Sequence, residues 1–339
     1  MRYPRMRRPA KLDLAMARYL MAQKAKRRKH FPFVTMLEPL EACNLHCIGC
    51  GRVIEYKDAI HERLSVEESL VAVHASGAPV VSVSGGEPLL HEQIGEIVRA
   101  ITEEKRFVYL CTNGLLLREK IDLFKPSPYL SFVVHLDGTK KIHDYVTRRE
   151  GTYNEAIAGV REALSRGFRV NTNSTLFHGS DVEDLHTLFA QLTEMGVEGL
   201  MVSPGYAYED VSDRELFLQR QESIAVFRRV LDKSRNFPFY NNPLYLDFLR
   251  GEREYDCAAW TTPTYTVRGW RKPCYILADE HTDDIEELFE PELWERYGPG
   301  KDRRCINCMM HSSFEGASIL HAFSHPLDLL TVAREERKG

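Results

Sequence analysis

The chain has 339 residues, of which 43% are hydrophobic and 28% charged, and its formal net charge is -4. This is the composition of an ordinary globular protein with a sizeable core, and the small net charge gives no indication of nucleic-acid binding. No apolar run approaches the roughly 18 residues that a membrane span needs. We therefore expect a cytoplasmic protein whose eight cysteines are ligands or core residues rather than disulfides.

Basic residues are concentrated at the N-terminus, where residues 1–30 hold 11 Lys or Arg against one acidic residue. On a helix, Leu12, Met16, Tyr19 and Leu20 fall on one face. Such a helix either packs this face against the rest of the protein or makes a peripheral contact with the inner face of the cytoplasmic membrane. Both alternatives stay open, whereas the scarcity of aromatic residues among the charges argues against a nucleic-acid partner.

From residue 33 to about 233, short apolar runs alternate with amphipathic segments. The apolar runs predict six strands, at 33–37, 79–88, 106–114, 129–138, 168–177 and 197–208. The amphipathic segments predict six helices, at 65–76, 91–105, 114–124, 153–167, 181–196 and 213–233. Six alternating units indicate an α/β fold with a parallel sheet, either doubly wound or an incomplete barrel.

Local signals mark several helix boundaries. Ser65 followed by Glu68 predicts a capping box at the start of one helix. Gly167 and Gly196 predict C-caps at the ends of two others.

The region after residue 233 has few regular periods and holds all three tryptophans. We therefore divide the chain into a basic N-terminal helix (1–30), an α/β core (31–233) and a C-terminal extension or small subdomain (234–339).

Chemically distinctive residues stand at the predicted C-terminal end of every strand. In parallel α/β folds these ends meet on one face, where active sites form. In chain order they carry a cysteine loop after residue 37, then Gly85–Pro88, Cys111–Asn113, His135–Asp137, Asn171–Asn173 and Ser203–Tyr206. Structural roles would account for one or two such ends, so six of them predict a functional site.

The stretch EACNLHCIGCGR places Cys43, Cys47 and Cys50 within eight positions. Thiolates suit zinc or iron–sulfur clusters, but structural zinc prefers four protein ligands, usually in two pairs. Three cysteines spaced C-x3-C-x2-C can instead ligate three irons of a [4Fe–4S] cluster and leave the fourth iron open. An open iron can chelate the amino and carboxylate groups of S-adenosylmethionine, whose reductive cleavage gives a 5′-deoxyadenosyl radical.

A cysteine loop of this spacing after the first strand of a six-unit β/α chain resembles the radical S-adenosylmethionine superfamily. The resemblance implies a partial (β/α)6 TIM-like barrel whose cluster is held by the three cysteines. Gly85, Gly86, Glu87 and Pro88 match the GGEP motif of the superfamily, which implies that they bind the amino end of S-adenosylmethionine. Glycines allow close backbone approach, and a carboxylate can accept from an ammonium. Gly49 departs from the pattern, because many members have an aromatic residue there, near the adenine.

A closer resemblance runs nearly from end to end. It rests on the stretches MLEPLEACNLHCIGCGR, SGGEPLLH, FVYLCTNGLLL, KPSPYLSFVVHLDG, NTNSTLF, SPGYAYE, RGWRKPCYIL and CINCMMH. They resemble the radical enzymes of bacterial hopanoid biosynthesis, the adenosyl hopene transferases. The resemblance implies a transferase that adds the 5′-deoxyadenosyl radical to the alkene of the triterpene diploptene, forming adenosylhopane. It further implies that S-adenosylmethionine is consumed as a co-substrate, with a donor such as flavodoxin or ferredoxin supplying electrons.

Cys111, at a predicted strand end, is a candidate hydrogen-atom donor. Addition of a primary radical to a 1,1-disubstituted alkene leaves a tertiary carbon radical, which must gain a hydrogen atom, and a thiol S–H bond is weak enough to supply it. The alternative is a core cysteine, since free cysteine is among the most buried residue types.

Other polar residues at the strand ends are expected to line the cofactor or substrate pocket. His135, Asp137 and Asn173 are assigned to the cofactor, and Tyr206 and Tyr208 could face either ligand. Each has a structural alternative, because Asp-Gly is also typical of a turn and tyrosines can simply pack. A triterpene would need a large apolar cavity.

A second set of cysteines, Cys257, Cys274, Cys305 and Cys308, lies in the C-terminal extension. The last two have the C-x2-C spacing of a zinc or iron–sulfur half-site, but the other separations are long and irregular. The set could hold a structural zinc, a second cluster or no metal. The hopanoid-like pattern has another cysteine where this chain has Ser312-Ser313, which argues against a cluster.

Two alternative functions stay open. The same radical core could act on another terpenoid, a lipid or a peptide, in the last case with auxiliary clusters in the C-terminal region. A protein of a different class, a non-catalytic zinc-binding scaffold, would be colourless, whereas a radical enzyme would be brown and hold about four irons at the triad.

Overall fold

The computed structural model describes residues 9–208, 211, 213–232 and 236–337. Within these ranges nine strands form one sheet: β1 Val34–Leu37, β2 Val80–Val83, β3 Phe107–Thr112, β4 Leu130–His135, β5 Arg169–Leu176, β6 Gly199–Pro204, β7 Thr264–Thr266, β8 Gly269–Pro273 and β9 Ala278–Thr282. Their order across the sheet is β6-β5-β4-β3-β2-β1-β7-β8-β9.

Helices cover the sheet and its ends. The α-helices are α1 Ala10–Ala25, α2 Arg52–Glu55, α3 Val66–Ser76, α4 Ile94–Glu103, α5 Leu117–Lys120, α6 Lys140–Val146, α7 Thr152–Ser165, α8 Val182–Met195, α9 Arg220–Val230, α10 Pro243–Leu249, α11 Pro291–Arg296, α12 His311–Ser324 and α13 Pro326–Arg337. Short 3-10 helices occur at Lys57–Ala59, Pro88–Leu90, Ile121–Leu123, Arg214–Leu216, Ala259–Thr261, Ile285–Phe289 and Arg303–Cys305.

Strands β1 to β6 lie side by side in chain order, each parallel to its neighbours. A doubly wound sheet would reverse its strand order at a switch point, whereas a barrel keeps successive units adjacent. The observed order therefore confirms the predicted partial (β/α)6 barrel. On the other side of β1, β7 continues the parallel pairing, and β8 and β9 add an antiparallel meander.

Side chains of the strands alternate between an outer face covered by helices and the inside of the barrel. Val81 and Leu110 are fully buried in the outer core. Their chain neighbours Ser82 and Cys111 point the other way and contact each other, with 3.5 Å between Oγ and Sγ. The inside of the barrel is thus partly polar, while the outer core holds the sheet to its helices.

The helix boundaries follow the local signals closely. Glu68 N–H donates to Ser65 Oγ at 3.2 Å and Ser65 N–H donates to Glu68 Oε2 at 2.7 Å, which confirms the capping box before α3. Gly196, in the left-handed region with φ +87°, caps α8 as predicted. The predicted cap at Gly167 is wrong by one residue: Arg166 is the C-cap of α7, and Gly167 follows it in the left-handed region that a helix exit favours.

Helix α1 packs its apolar face on the barrel. Leu12 contacts Val80 and Phe107, at the N-terminal ends of β2 and β3, and Leu20 packs with Phe31. This confirms the packed alternative and places the helix opposite the strand ends that carry the polar residues. Residues 1–8 of the basic segment lie outside the described ranges. Within the described ranges, no helix is long and apolar enough to cross a membrane.

The prediction of a helix at 213–233 is wrong for residues 213–219. Phe217 is extended and buried, and the helix begins only at Arg220, where Gln219 and Glu222 form a capping box. Residue 233, where we place the end of the α/β core, lies outside the described part of the chain.

Candidate active site

The loop between β1 and α2 carries Cys43, Cys47 and Cys50, here called the cysteine triad. Burial raises the pKa of Cys43 to about 11, and the charge of Cys50 adds to this effect. Burial also raises the pKa of Cys47, with Cys50 and Cys43 again adding. Three thiolates that repel each other in this way need bound cations to be stable, because a cation favours the thiolate form of its ligands. The triad therefore fits a cationic group.

The triad does not fit a single ion. Across the described ranges, no group of three or more His, Cys, Asp or Glu side chains could hold one metal ion. A four-iron cluster spreads its ligands more widely, because each sulfur binds a different iron. Cys50 is also open to solvent at the barrel mouth. The donor chemistry of the triad is that of a cluster ligated by three residues.

The two glycines after β2 pack directly on the triad loop. Gly86 N–H donates to Leu40 O at 3.1 Å, and Glu87 N–H donates to Ala42 O at 2.9 Å. A Cβ on Gly85, whose φ is +109°, would collide with the carbonyl oxygen of Leu40, and one on Gly86 would collide with that of Ala42. These glycines therefore let the backbone of the loop before Cys43 approach closely, which fixes the position of the triad.

Glu87 is fully enclosed and organises two strand ends. Its Oε1 accepts from Leu89 N–H at 3.0 Å and from Thr112 Oγ1 at 2.8 Å, and its Oε2 accepts from Asn113 N–H at 2.8 Å. Burial raises its pKa to about 7 although these three hydrogen bonds oppose the shift. A carboxylate offers about four acceptor sites, so one site on Oε2 is left for a ligand. Pro88 starts the 3-10 helix that follows.

Asn44 joins the triad loop to the end of β3. Its Oδ1 accepts from Asn113 Nδ2 at 2.7 Å. Because Asn113 also donates to Glu87, one continuous hydrogen-bonded chain links the residue after Cys43 with the GGEP turn. Sequence reasoning did not single out Asn44, although an amide between two triad cysteines is the signal that could have found it.

His135, Asp137 and Asn173 form one cluster at the ends of β4 and β5. His135 Nε2 lies 2.8 Å from Asp137 Oδ2, and Asn173 Nδ2 lies 3.4 Å from His135 Nδ1. Burial opposes protonation of His135, but the charge and hydrogen bond of Asp137 outweigh it and raise the His135 pKa. Asp137 also faces Cys47, whose pKa its charge raises. The structure thus brings these residues together beside the triad.

Cys111 lies on the inner face of β3, half-buried against Ser82. Burial raises its pKa to about 11, so the thiol stays protonated at neutral pH. The charge of Glu87 acts on both Cys111 and Cys43. Cys111 and the triad therefore both lie near the GGEP turn, which contains Glu87.

The space expected for an aromatic residue at position 49 is filled from elsewhere. Gly49 has φ +69°, and a Cβ there would lie 2.9 Å from the Phe177 ring and 3.2 Å from the Phe217 ring. The two rings pack edge to face with centroids 5.7 Å apart. Phe177, just after β5, and Phe217 thus bring apolar surface to the triad loop.

Buried charges flank the triad loop, and sequence reasoning missed them. Glu38 and Glu41 are fully buried; Arg52 contacts Glu38 and lies 3.7 Å from Glu41. Burial raises the pKa of Glu41 to about 8. The sequence signal that could have identified them is the presence of two acidic residues, Glu38 and Glu41, in the otherwise apolar run before Cys43.

The remaining predicted residues lie at the edge of this site. Tyr208 packs on Gly51, where a Cβ would meet the tyrosine Cβ at 2.5 Å, and its ring lies edge to face with that of Tyr206 at 5.9 Å. Cys257, Cys274, Cys305 and Cys308 gather separately in the C-terminal extension.

An open parallel barrel with a three-cysteine loop after β1 and a glycine-rich turn after β2 defines a class of iron–sulfur enzymes that use S-adenosylmethionine. Residues 37–192 match the model of the radical SAM superfamily, and residues 200–332 match a model described as a domain of unknown function, DUF3463. The α/β core at residues 37–192 therefore resembles the radical SAM superfamily, and this match favours a radical SAM enzyme over a non-catalytic zinc-binding scaffold.

Similar proteins carry out different reactions. The chain is 29% identical over 159 residues to Fe-coproporphyrin III synthase of Methanosarcina barkeri, covering 45% of this chain and 39% of that protein. It is 24% identical over 270 residues to a probable GTP 3′,8-cyclase of Methanocaldococcus jannaschii, covering 75% and 89%. The crystal structure of Streptococcus suis SuiB superposes with a TM-score of 0.64 at 17% identity over 91% of this chain and 78% of that one, which shows a shared fold. The named activities of these relatives differ, so the similarities leave the substrate open.

Proposed function

We propose that the protein adds the 5′-deoxyadenosyl group of S-adenosylmethionine to the terminal alkene of diploptene and so forms adenosylhopane. The observation that carries this proposal is the position of the Cys111 thiol on the inner face of β3, where its Sγ lies 3.5 Å from Ser82 Oγ of β2, the strand that leads into the GGEP turn. An enzyme that only abstracts hydrogen has no need of such a donor, whereas an addition to an alkene must end with one. The choice of diploptene rests on the resemblance of stretches along the whole chain to the hopanoid enzymes.

The residues of the triad would hold a [4Fe–4S] cluster, and this group, when bound with S-adenosylmethionine and reduced, supplies the 5′-deoxyadenosyl radical. Gly85 to Pro88 would present backbone groups and the free site of Glu87 to the amino end of S-adenosylmethionine. The paired His135 and Asp137, with Asn173, would bind its polar groups from the opposite strands. His135 suits this role because its side chain keeps 35% exposure inside the barrel mouth.

Cys111 would complete the reaction. The carbon radical left by addition takes the hydrogen atom of the Cys111 S–H bond, so one C–H bond forms and one S–H bond breaks. The resulting thiyl radical needs one electron and one proton to return to a thiol, and a donor of the flavodoxin or ferredoxin type would supply the electron. Burial supports this role, because the raised pKa of Cys111 keeps the hydrogen on sulfur.

Apolar surface for the substrate would come from Phe177 and Phe217. A hydrocarbon offers no hydrogen bonds, so its position must be set by shape and apolar contact. The two rings lie beside Gly49 of the triad loop. They are therefore placed to contact both the adenine of S-adenosylmethionine and the alkene, and so to hold the alkene near the source of the radical.

The test is an anaerobic incubation of reconstituted enzyme with dithionite, S-adenosylmethionine and diploptene in D2O, analysed by mass spectrometry. The exchangeable thiol would carry deuterium, so the adenosylhopane should contain one carbon-bound deuterium. Cys111→Ala should give no deuterated adduct, and Ser82→Ala, the matched neighbour, should still give it. An undiminished yield from Cys111→Ala would remove Cys111 from the mechanism.

Formation of 5′-deoxyadenosine without an adduct would disprove the diploptene assignment and turn the search to other terpenoids or lipids. A peptide is the second candidate, because the fold likeness to SuiB spans 91% of the chain and SuiB has been solved with its precursor peptide SuiA.

A further inference from the structure

Three separate segments of the C-terminal extension bring four cysteines together, here called the C-terminal cysteine set. Cys257 precedes the 3-10 helix Ala259–Thr261, Cys274 follows β8, and Cys305 and Cys308 flank the turn into α12. With the triad and Cys111, this set accounts for all eight cysteines of the chain.

An ion pair holds the second segment to the third. Arg304 Nη1 lies 2.7 Å from Asp279 Oδ1 of β9, so the turn that carries Cys305 is fixed against the hairpin that carries Cys274. The Tyr297 hydroxyl donates to Asp279 Oδ2 at 2.8 Å and strengthens the same junction.

Backbone contacts hold the first segment to the third. Ala258 N–H donates to Ser313 O at 3.3 Å, which places Cys257 at the start of α12. Gly298 joins the first segment to the turn of Cys305: a Cβ there would be 3.5 Å from Cys257 Cβ, its carbonyl accepts from Asp302 N–H at 3.1 Å, and Asp302 O accepts from Cys305 N–H at 3.0 Å. These contacts between the three segments therefore bring the four cysteines together.

Local backbone geometry also favours a thiolate site. The Leu277 N–H donates to Cys274 Sγ at 3.4 Å, and the Cys308 N–H donates to Cys305 O at 3.0 Å, which closes the C-x2-C turn. An amide directed at sulfur stabilises a thiolate and is a usual feature around iron–sulfur ligands.

The set is withdrawn from solvent: Cys308 is buried, and the other three cysteines are half-buried and pack against the main core. Four thiolates enclosed together in this way would be stable only around a cationic centre.

A cluster suits the arrangement better than a single ion. Zinc draws its sulfurs to about 2.3 Å from one centre, and across the described ranges no group of three or more His, Cys, Asp or Glu side chains is placed to hold one metal ion. The absence of a fifth cysteine at Ser312-Ser313 is no obstacle, because four thiolates complete the ligands of a four-iron cluster.

We propose that Cys257, Cys274, Cys305 and Cys308 bind a second iron–sulfur cluster, of the four-iron, four-cysteine type. This reverses the expectation from sequence, and it holds for any substrate of the barrel.

Two tyrosines stand between this site and the barrel. The Tyr206 hydroxyl donates to Arg304 O at 3.1 Å, next to Cys305, and its ring meets that of Tyr208. Tyr208 in turn packs on Gly51, next to Cys50. The second cluster would thus lie beside the barrel mouth, separated from the first by aromatic rings.

The test counts iron, sulfide and zinc in the full chain after anaerobic reconstitution. We expect about eight irons and eight sulfides per chain. The variant Cys43→Ala/Cys47→Ala/Cys50→Ala should keep about four irons and a reducible cluster signal in electron paramagnetic resonance, because the C-terminal cysteine set is intact. The variant Cys305→Ala/Cys308→Ala should lose about four, and Cys111→Ala, the matched cysteine outside both sets, should lose none.

A triad variant that binds no iron, or that binds zinc in its place, would overturn the proposal. The iron content of the triad variant is measured on a chain with an intact C-terminal extension. It therefore tests the second cluster even if Cys305→Ala/Cys308→Ala fails to fold. Circular dichroism of the triad variant establishes that the chain counted is folded.

Discussion

Thr112 donates a hydrogen bond to Glu87 Oε1 at 2.8 Å, and so joins the end of β3 to the turn after β2. The Asn113 amide donates to the other oxygen of the same carboxylate at 2.8 Å. Since the Glu87 amide itself is bonded to Ala42 O, this side chain couples two strand ends to the triad loop.

Glu87→Gln should destabilise the protein by about 1–3 kcal/mol, because one amide hydrogen-bond donor of glutamine would face groups that already donate. We expect a lower Tm and reduced iron at the triad. Glu92→Gln, an exposed position nearby, is the control and should leave both unchanged. Equal Tm values for the Glu87 variant and the wild type would show that the three hydrogen bonds do not support the loop.

Gly86→Ala should displace the triad loop, because the new Cβ would collide with the carbonyl oxygens of Ala42 and Glu41, which are backbone atoms and cannot rotate away. We expect the triad to lose most of its iron and cleavage of S-adenosylmethionine to fall at least tenfold. Gly167→Ala is the control: its backbone strain costs about 1–2 kcal/mol, but no atom lies near its Cβ. Iron retained equally in both variants would contradict the role of the close approach.

Much of this site could be predicted from the sequence, because parallel strands bring their C-terminal ends together whatever their separation in the chain. The cluster of His135, Asp137 and Asn173 follows from that rule alone, as does the position of Cys111. Capping at Ser65 was equally accessible, since it depends on four consecutive residues.

The features that could not be predicted from the sequence depend on tertiary contacts between distant segments. Strands β7 to β9 are three to five residues long, too short for a periodic signal, and their pairing with β1 is long-range. Phe217 carries a helical pattern but is held extended at the triad loop. The neighbours of Gly49 and the convergence of Cys257 with Cys305 likewise depend on distant segments that no local pattern relates.

Phe177→Ala should weaken binding of S-adenosylmethionine while leaving the iron content unchanged. Phe177 occupies the space beside Gly49 where an aromatic side chain is expected near the adenine, and an aromatic contact with a base contributes about 1–3 kcal/mol. The Kd, measured anaerobically by titration calorimetry, should rise about 5- to 150-fold. Phe177→Tyr keeps the ring and should bind as the wild type does. An unchanged Kd for Phe177→Ala would show that other groups contact the adenine.

His143 should make stability depend on pH. Its side chain is 1% exposed, and its Nδ1 accepts from Asp137 N–H at 3.3 Å, which requires the neutral ring. Burial lowers its pKa to about 4, against 6.5 for the unfolded chain. The unfolded state therefore binds more protons between these values, and the stability due to the neutral ring, fully present above pH 6.5, is lost as the pH falls toward 4.

Between pH 7.5 and 5.5 this loss should be about 1 kcal/mol. In His143→Asn the amide oxygen can replace Nδ1 as acceptor, but the group does not titrate. We expect the variant to lose less stability than the wild type over this range, by about that amount, in denaturant titrations of the anaerobic protein. His61→Asn, at an exposed position, should follow the wild type. Parallel pH profiles for His143→Asn and the wild type would mean that His143 binds a proton in the folded protein as readily as in the unfolded chain.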